Sequence, residues 1–137
     1  MPLKIEGRKY VLPIGILHLY PIAKLAQALT DAGIPRTTQS IRNWIEDGTL
    51  PKPMFHCGKI KPKGLYSKAQ IEAIVQAAKE ANICQGAGAS LSRFKQLVFE
   101  KLTYVNLQVI QMAERNKKRE EARRNAKTNV EETQQQT

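Results

Sequence analysis

Four polar side chains in the stretch TTQSIRNWIEDG, residues 37–48, stand at spacings that let them act together. Gln39, Arg42, Asn43 and Glu46 follow one another at i, i+3, i+4 and i+7, so on a helix they share one face. Arginine, asparagine and glutamine can make paired hydrogen bonds to guanine and adenine edges, which is recognition chemistry rather than catalysis. Ile41, Trp44 and Ile45 recur at i, i+3 and i+4 on the other side and read as the core face. Thr37, Thr38 and Ser40, at the start of the same helix, are expected to share its contact surface. Gly48 and Pro51 end the run abruptly, and KPMFHCGKIKPKGLY follows, in which Lys59, Lys61 and Lys63 alternate with Ile60 and Pro62. In an extended segment those three ammonium groups share one side, where they can neutralise phosphates without reading sequence.

The composition fits a polyanionic partner and supplies no reactive centre. The 137 residues carry 22 Lys and Arg against 12 Asp and Glu, a net charge of +10, and the isoelectric point is near 9.8. That balance attracts nucleic acid first and an acidic membrane surface second. No glycine-framed serine, paired-carboxylate motif or phosphate-cradling loop occurs, so neither an enzyme nor a cofactor is expected. Cys57 and Cys84 are far apart and lack ligand-spaced partners, and His56 beside Cys57 is half a metal site without its other half. His18 lies in an apolar run and reads as a partly buried histidine. VLPIGILHLYPIAKLA imitates a signal peptide, but Pro13, His18 and Pro21 interrupt its apolar core, and it is too short to span a bilayer. The expectation is a cytoplasmic, nucleoid-associated protein with no membrane role.

Those residues need a small scaffold, and this length supports one ordinary domain plus a helical extension. Residues 1–19 read as an N-terminal arm or edge strand, with Pro13 confining the apolar run from Ile5 to Leu19 to a sheet edge. Ile22, Leu25, Ala26 and Leu29 recur at helical spacing up to Ala32, and Gly33 closes that helix. Thr37 or Thr38 is the natural cap of the next one. Two helices joined by a short glycine-containing turn, the second with a polar face, form the helix-turn-helix pattern. The segment 53–66 then reads as a two-stranded wing. Ser67 with Gln70 makes a capping box for a third helix, whose buried stripe is Ile71, Ile74, Val75 and Ala78.

The order IAKLAQAL, IRNWIEDGTLPKP and GLYSKAQIEAI, from Tyr20 to about Ala81, resembles the winged helix-turn-helix domain of the MerR superfamily, including its shorter phage and plasmid relatives. The matching features are Leu25 and Ala26 in the first helix, Arg42 before an aromatic residue, the turn Asp47, Gly48, Leu50 and Pro51, and Tyr66 after the wing. The segment from Ala26 to Arg42 is longer than the family spacing, Asn43 separates Arg42 from Trp44, and Lys63 with Gly64 stands where a wing arginine is usual. The resemblance implies a mainly α fold with a small β-hairpin wing at 20–81. It also implies DNA contact by Arg42 and its neighbours, with Tyr66 and the wing lysines bracing or touching backbone.

A linker is read at 82–90 from its glycine, alanine and serine content. Beyond it Leu91, Phe94, Val98, Leu102, Val105, Val109 and Met112 are spaced 3, 4, 4, 3, 4 and 3, an apolar seam on a helix over 91–113 about 35 Å long. Such a helix must bury its stripe, and pairing with a second copy is the more economical reading, with packing on its own domain the alternative. The resemblance also implies a homodimer, which would present two recognition helices to two half-sites. No ligand-sensing domain is read after the helix, so a small-molecule effector is not expected. Residues 114–127 carry a net charge of +4 and open a basic, then polar tail over 114–137, expected to be partly disordered. The reading is a double-stranded DNA-binding regulator of transcription. Its alternatives are an architectural or genome-handling factor, such as a segregation anchor, an excisionase-like bending protein or a packaging subunit, and a protein-interaction adaptor.

Overall fold

Turn residues and caps divide this chain before any long-range contact is considered. Pro13 has no N–H for a strand ladder and a fixed φ, so the chain reverses at Pro13–Ile14. In the computed structural model, which describes residues 7–57, 63–81, 83 and 88–135, this turn joins β1 (Arg8–Leu12) to β2 (Gly15–Pro21), antiparallel from Arg8 opposite Leu19 to Leu12 opposite Gly15. The single arm expected over 1–19 is therefore a hairpin, with Pro13 at its tip rather than on an edge. Leu17 and Leu19 point inward from β2, and His18 alternates to the exposed face, where its ring meets Tyr20 edge-on at 5.4 Å. His18 is thus not the partly buried histidine the apolar run implies, because a period of two turns it outward.

Three helices follow from the expected signals. α1 (Ile22–Asp31) begins directly after Pro21, and Gly33, at φ +85°, lies just past its end. α2 (Thr38–Asp47) is joined to α1 by residues 32–37. After α2, β3 (Phe55–Cys57) pairs with β4 (Lys63–Ser67), Phe55 opposite Leu65 and Cys57 opposite Lys63. β4 also pairs with β2, so one antiparallel sheet forms in the order β1-β2-β4-β3. α3 (Lys68–Glu80) opens with both bonds of its capping box: the Ser67 N–H donates to Gln70 Oε1 at 2.9 Å, and the Gln70 N–H donates to Ser67 Oγ at 3.2 Å.

α4 (Gly88–Gln135) has 48 residues, which makes it about 72 Å long. Its helix starts inside the span read as a linker at 82–90. Residues 82 and 84–87 of that span lie outside the described residues, and Ile83 is buried. The charged segment after Met112 is not a frayed tail. It continues the helix to Gln135, with Glu120 and Arg124 paired at i, i+4.

The apolar stripe of α4 is buried within the same chain. Phe94, Val98 and Leu102 enter a cluster with Leu25 and Leu29 of α1, Ile41 and Trp44 of α2, and Ile74 and Ala77 of α3. Val109 and Ala113 enter a second cluster with Leu17 and Leu19 of β2, Phe55 of β3 and Leu65 of β4. Val105 is half-buried between the two. This corrects the seam expected to pair two copies: the small domain does offer enough apolar surface, because the hairpin and the wing strands form one sheet under the helix. Leu91 and Met112, at the ends of that seam, are exposed. Polar bonds fix the register of the docking. Gln70 Nε2 donates to Asn106 Oδ1 at 2.9 Å, and Asn116 Nδ2 donates to the Ile16 carbonyl at 3.0 Å.

Phe94 is fully buried, and Phe94→Ala is expected to cost about 3–5 kcal/mol, measured as a drop in the denaturant midpoint. The loss is expected to be the same at all protein concentrations, whereas a loss that shrinks on concentrating the sample would mean the stripe pairs between chains.

Candidate nucleic-acid interface

α2 is a short helix held at both ends and along one side. At its start the Ser40 N–H donates to the Thr37 side-chain oxygen at 3.1 Å, and the two hydroxyls lie 3.1 Å apart. Thr37 is therefore the cap, and its side chain is engaged inside the helix terminus. At its end Gly48 takes the left-handed conformation, φ +84°, which lets the chain fold back so that the Leu50 N–H donates to the Trp44 carbonyl at 3.0 Å. Asp47 Oδ1 closes the same corner, accepting from the Thr49 hydroxyl at 2.6 Å and its N–H at 2.9 Å. The hydroxyl bond first, then the N–H, holds the exposed Asp47 carboxyl below the usual carboxylate range.

Trp44 sets the rotation of the helix. Its ring meets Phe94 of α4 at 5.1 Å with a 58° tilt, and the Arg36 guanidinium lies 5.6 Å from its centre. Arg36 is itself tied to backbone carbonyls, at 2.7 Å to Pro35 and 3.3 Å to Ile83. Sequence reasoning passes over Arg36, which belongs to no periodic pattern and gains its role only when Ile83 returns beside it. Ile41 is fully buried, Trp44 is nearly so, and Ile45 is half-buried against the same cluster.

The opposite face is polar and exposed. Gln39, Arg42, Asn43 and Glu46 all lie on it. Gln39 Nε2 donates to Asn43 Oδ1 at 3.1 Å, which aligns two amides and leaves the Gln39 carbonyl and the Asn43 N–H groups for an outside partner. Arg42 makes no ion pair among the described residues, even with Glu46 one turn away. Thr38 and Ser40 are half-buried at the helix start. The structure therefore brings Gln39, Arg42 and Asn43 together at the surface and assigns Thr37 to the cap.

The wing residues divide differently. Lys63 opens β4 and is exposed. Lys59 and Lys61 lie outside the described residues. Tyr66 is not a surface residue: it is 4 % exposed, opposite Tyr20 in the sheet and packed in the helical cluster. This corrects its expected role in touching DNA, and the reason is that α3 and α4 pack over the face it presents, with Ile74 and Leu102 in the same cluster. Burial pushes its phenol well above the ordinary range, and its hydroxyl has no hydrogen-bond partner among the described residues.

Among the described residues no group of three His, Cys, Asp or Glu side chains is placed to hold a metal ion, and no helix is long and apolar enough to cross a membrane. No protein-family model, no curated protein and no solved structure matches the chain.

The Tyr66 hydroxyl bears the desolvation cost of an unsatisfied buried group. Tyr66→Phe is accordingly expected to raise the stability of the fold by about 1 kcal/mol, read as a higher denaturant midpoint, whereas a lower midpoint would mean that the hydroxyl is satisfied in the fold.

Proposed function

We propose that the chain is a sequence-specific, double-stranded DNA-binding protein of winged helix-turn-helix type, similar to the MerR superfamily, with α1 and α2 as the helix pair and β3 and β4 as the wing. α2 enters the major groove, and Gln39, Arg42 and Asn43 read base edges there. Lys63 contacts phosphates, and Lys59 and Lys61, between β3 and β4 in the sequence, add positive charge to the same segment. Transcriptional regulation by occupying a promoter is the use this arrangement fits best.

The observation that carries the reading is the division of α2. Its apolar side is locked by Trp44, Ile41 and Phe94, while its exposed side holds three residue types suited to paired base contacts, two of them already joined by a hydrogen bond. This packing holds the outer face of α2 in one orientation. The net charge of +10 supplies the long-range attraction.

A two-fold pair of such proteins would face two half-sites. Because the expected seam is internal, pairing falls to the outer face of α4, where Phe99, Tyr104 and Leu107 are exposed on the side away from the core. The length of α4 and its basic second half also favour one second reading, an architectural factor that follows DNA beyond a single site. Repeated sites among bound fragments, rather than a lone operator, would select it.

Arg42→Ala is expected to cost about 1–3 kcal/mol on the best site and to relax base preference at one position. Unchanged preference in a competition assay would move the reading face elsewhere. For the pairing, Leu107→Asp is expected to leave the fold intact and to halve the sedimentation mass. A mass unaffected by the change would take the outer face of α4 out of the dimer.

A further inference from the structure

The hairpin β1–β2 and the charged half of α4 enclose a cleft that the reading above leaves unused. Gly15, at φ +148°, lies so close to α4 that a Cβ there would collide with the Ala113 carbonyl oxygen. That contact, with the Asn116 bond to Ile16, seats the hairpin on the helix. Just beyond it a cleft of about 500 Å³ is lined by four cationic side chains, Lys9, Arg119, Arg123 and Arg124, and by one carboxylate, Glu120.

The carboxylate is already in use. Lys9 Nζ lies 3.1 Å from Glu120 Oε2, and Arg124 lies 3.4 Å from Oε1. Arg119 and Arg123 make no ion pair or hydrogen bond among the described residues. Arg115, Arg119 and Arg123 stand at i, i+4 and i+8, a row with a spacing of about 6 Å along the helix. A compact anion would satisfy one or two of these groups, whereas a row running out of a walled cleft matches a linear polyanion.

We propose that this cleft is a second nucleic-acid site, separate from α2, in which Arg119 and Arg123 hold phosphates of a duplex backbone. Glu120 draws Lys9 and Arg124 to the same place and fixes the hairpin as one wall. From Phe94, which abuts α2, to Glu120 the helix runs about 39 Å, close to the ~34–36 Å turn of B-form DNA. One duplex longer than a turn is thus able to reach from α2 to the cleft. The described side chains of this part of α4 offer only Ala122 and Ala126 as apolar groups, which gives a lipid surface nothing to bury and favours nucleic acid over an anionic membrane. The choice of polyanion rests on the DNA-binding reading; the site itself does not depend on α2.

The test compares the full chain with the double variant Arg119→Gln, Arg123→Gln, both side chains being exposed and outside the core. Affinity for a random-sequence duplex of about 30 base pairs and for a selected sequence is followed over a series of salt concentrations. The variant is expected to flatten the plot of log affinity against log salt by about 2 in slope, equally for both duplexes, and to preserve their affinity ratio. Arg42→Ala is expected to do the reverse, collapsing the ratio while changing the slope little. If only the double variant behaves as stated, the cleft stands and the reading of α2 falls. An unaltered slope overturns the cleft, as does a wild-type chain that binds no duplex. The same follows if the substitutions abolish binding to phosphatidylserine vesicles but leave the duplex slope intact.

Discussion

The burial of the α4 stripe against its own domain is the contact on which the rest of this structure depends. Phe94 closes the helical cluster and meets Trp44, so the orientation of α2 is set by a residue 50 positions further along the chain. Val109 and Ala113 close the second cluster over the sheet, so the same helix also fixes the N-terminal hairpin. One element thereby couples the polar face of α2 to the charged far end of α4. A helix about 72 Å long exceeds what so small a domain can cover along its whole length, and its contacts with the domain reach as far as Glu120, which pairs with Lys9 of β1.

That constraint explains what the sequence made legible. Local signals were sufficient for α1, α2 and α3. Leu25, Leu29, Ile41, Trp44, Ile71 and Ile74 follow helical spacing, and the caps at Thr37 and Ser67–Gln70, with the turn at Gly48, bracket the helices through bonds within six residues. The polar face of α2 was legible for the same reason, since a helix with a known buried side has a known exposed one. What failed was every inference that depended on what lies opposite. The α4 stripe has a spacing that serves an internal core as well as a coiled coil, and only the hairpin shows which applies.

The hairpin itself was hidden by Pro13, because a proline among apolar residues marks an edge strand or a turn and spacing does not separate them. Tyr66 lies in the core because α3 and α4 pack over its face of the sheet, so it cannot brace a nucleic acid. Arg36 is not legible in the sequence because one of its partners, the Ile83 carbonyl, lies 47 residues along the chain, and the other, the Trp44 ring, belongs to the core face of α2. The charged run after Met112 was read by composition as a tail. Its helix is favoured by continuity with a docked helix, since propagating an existing helix costs far less than nucleating one.

If the outer face of α2 reads bases, as proposed, then selection of bound fragments from a random DNA pool by the full chain enriches one short motif, with footprints centred on it and major-groove methylation at that motif blocking binding. Recovery of fragments indistinguishable from the starting pool, held only through salt-sensitive contacts, would overturn that reading.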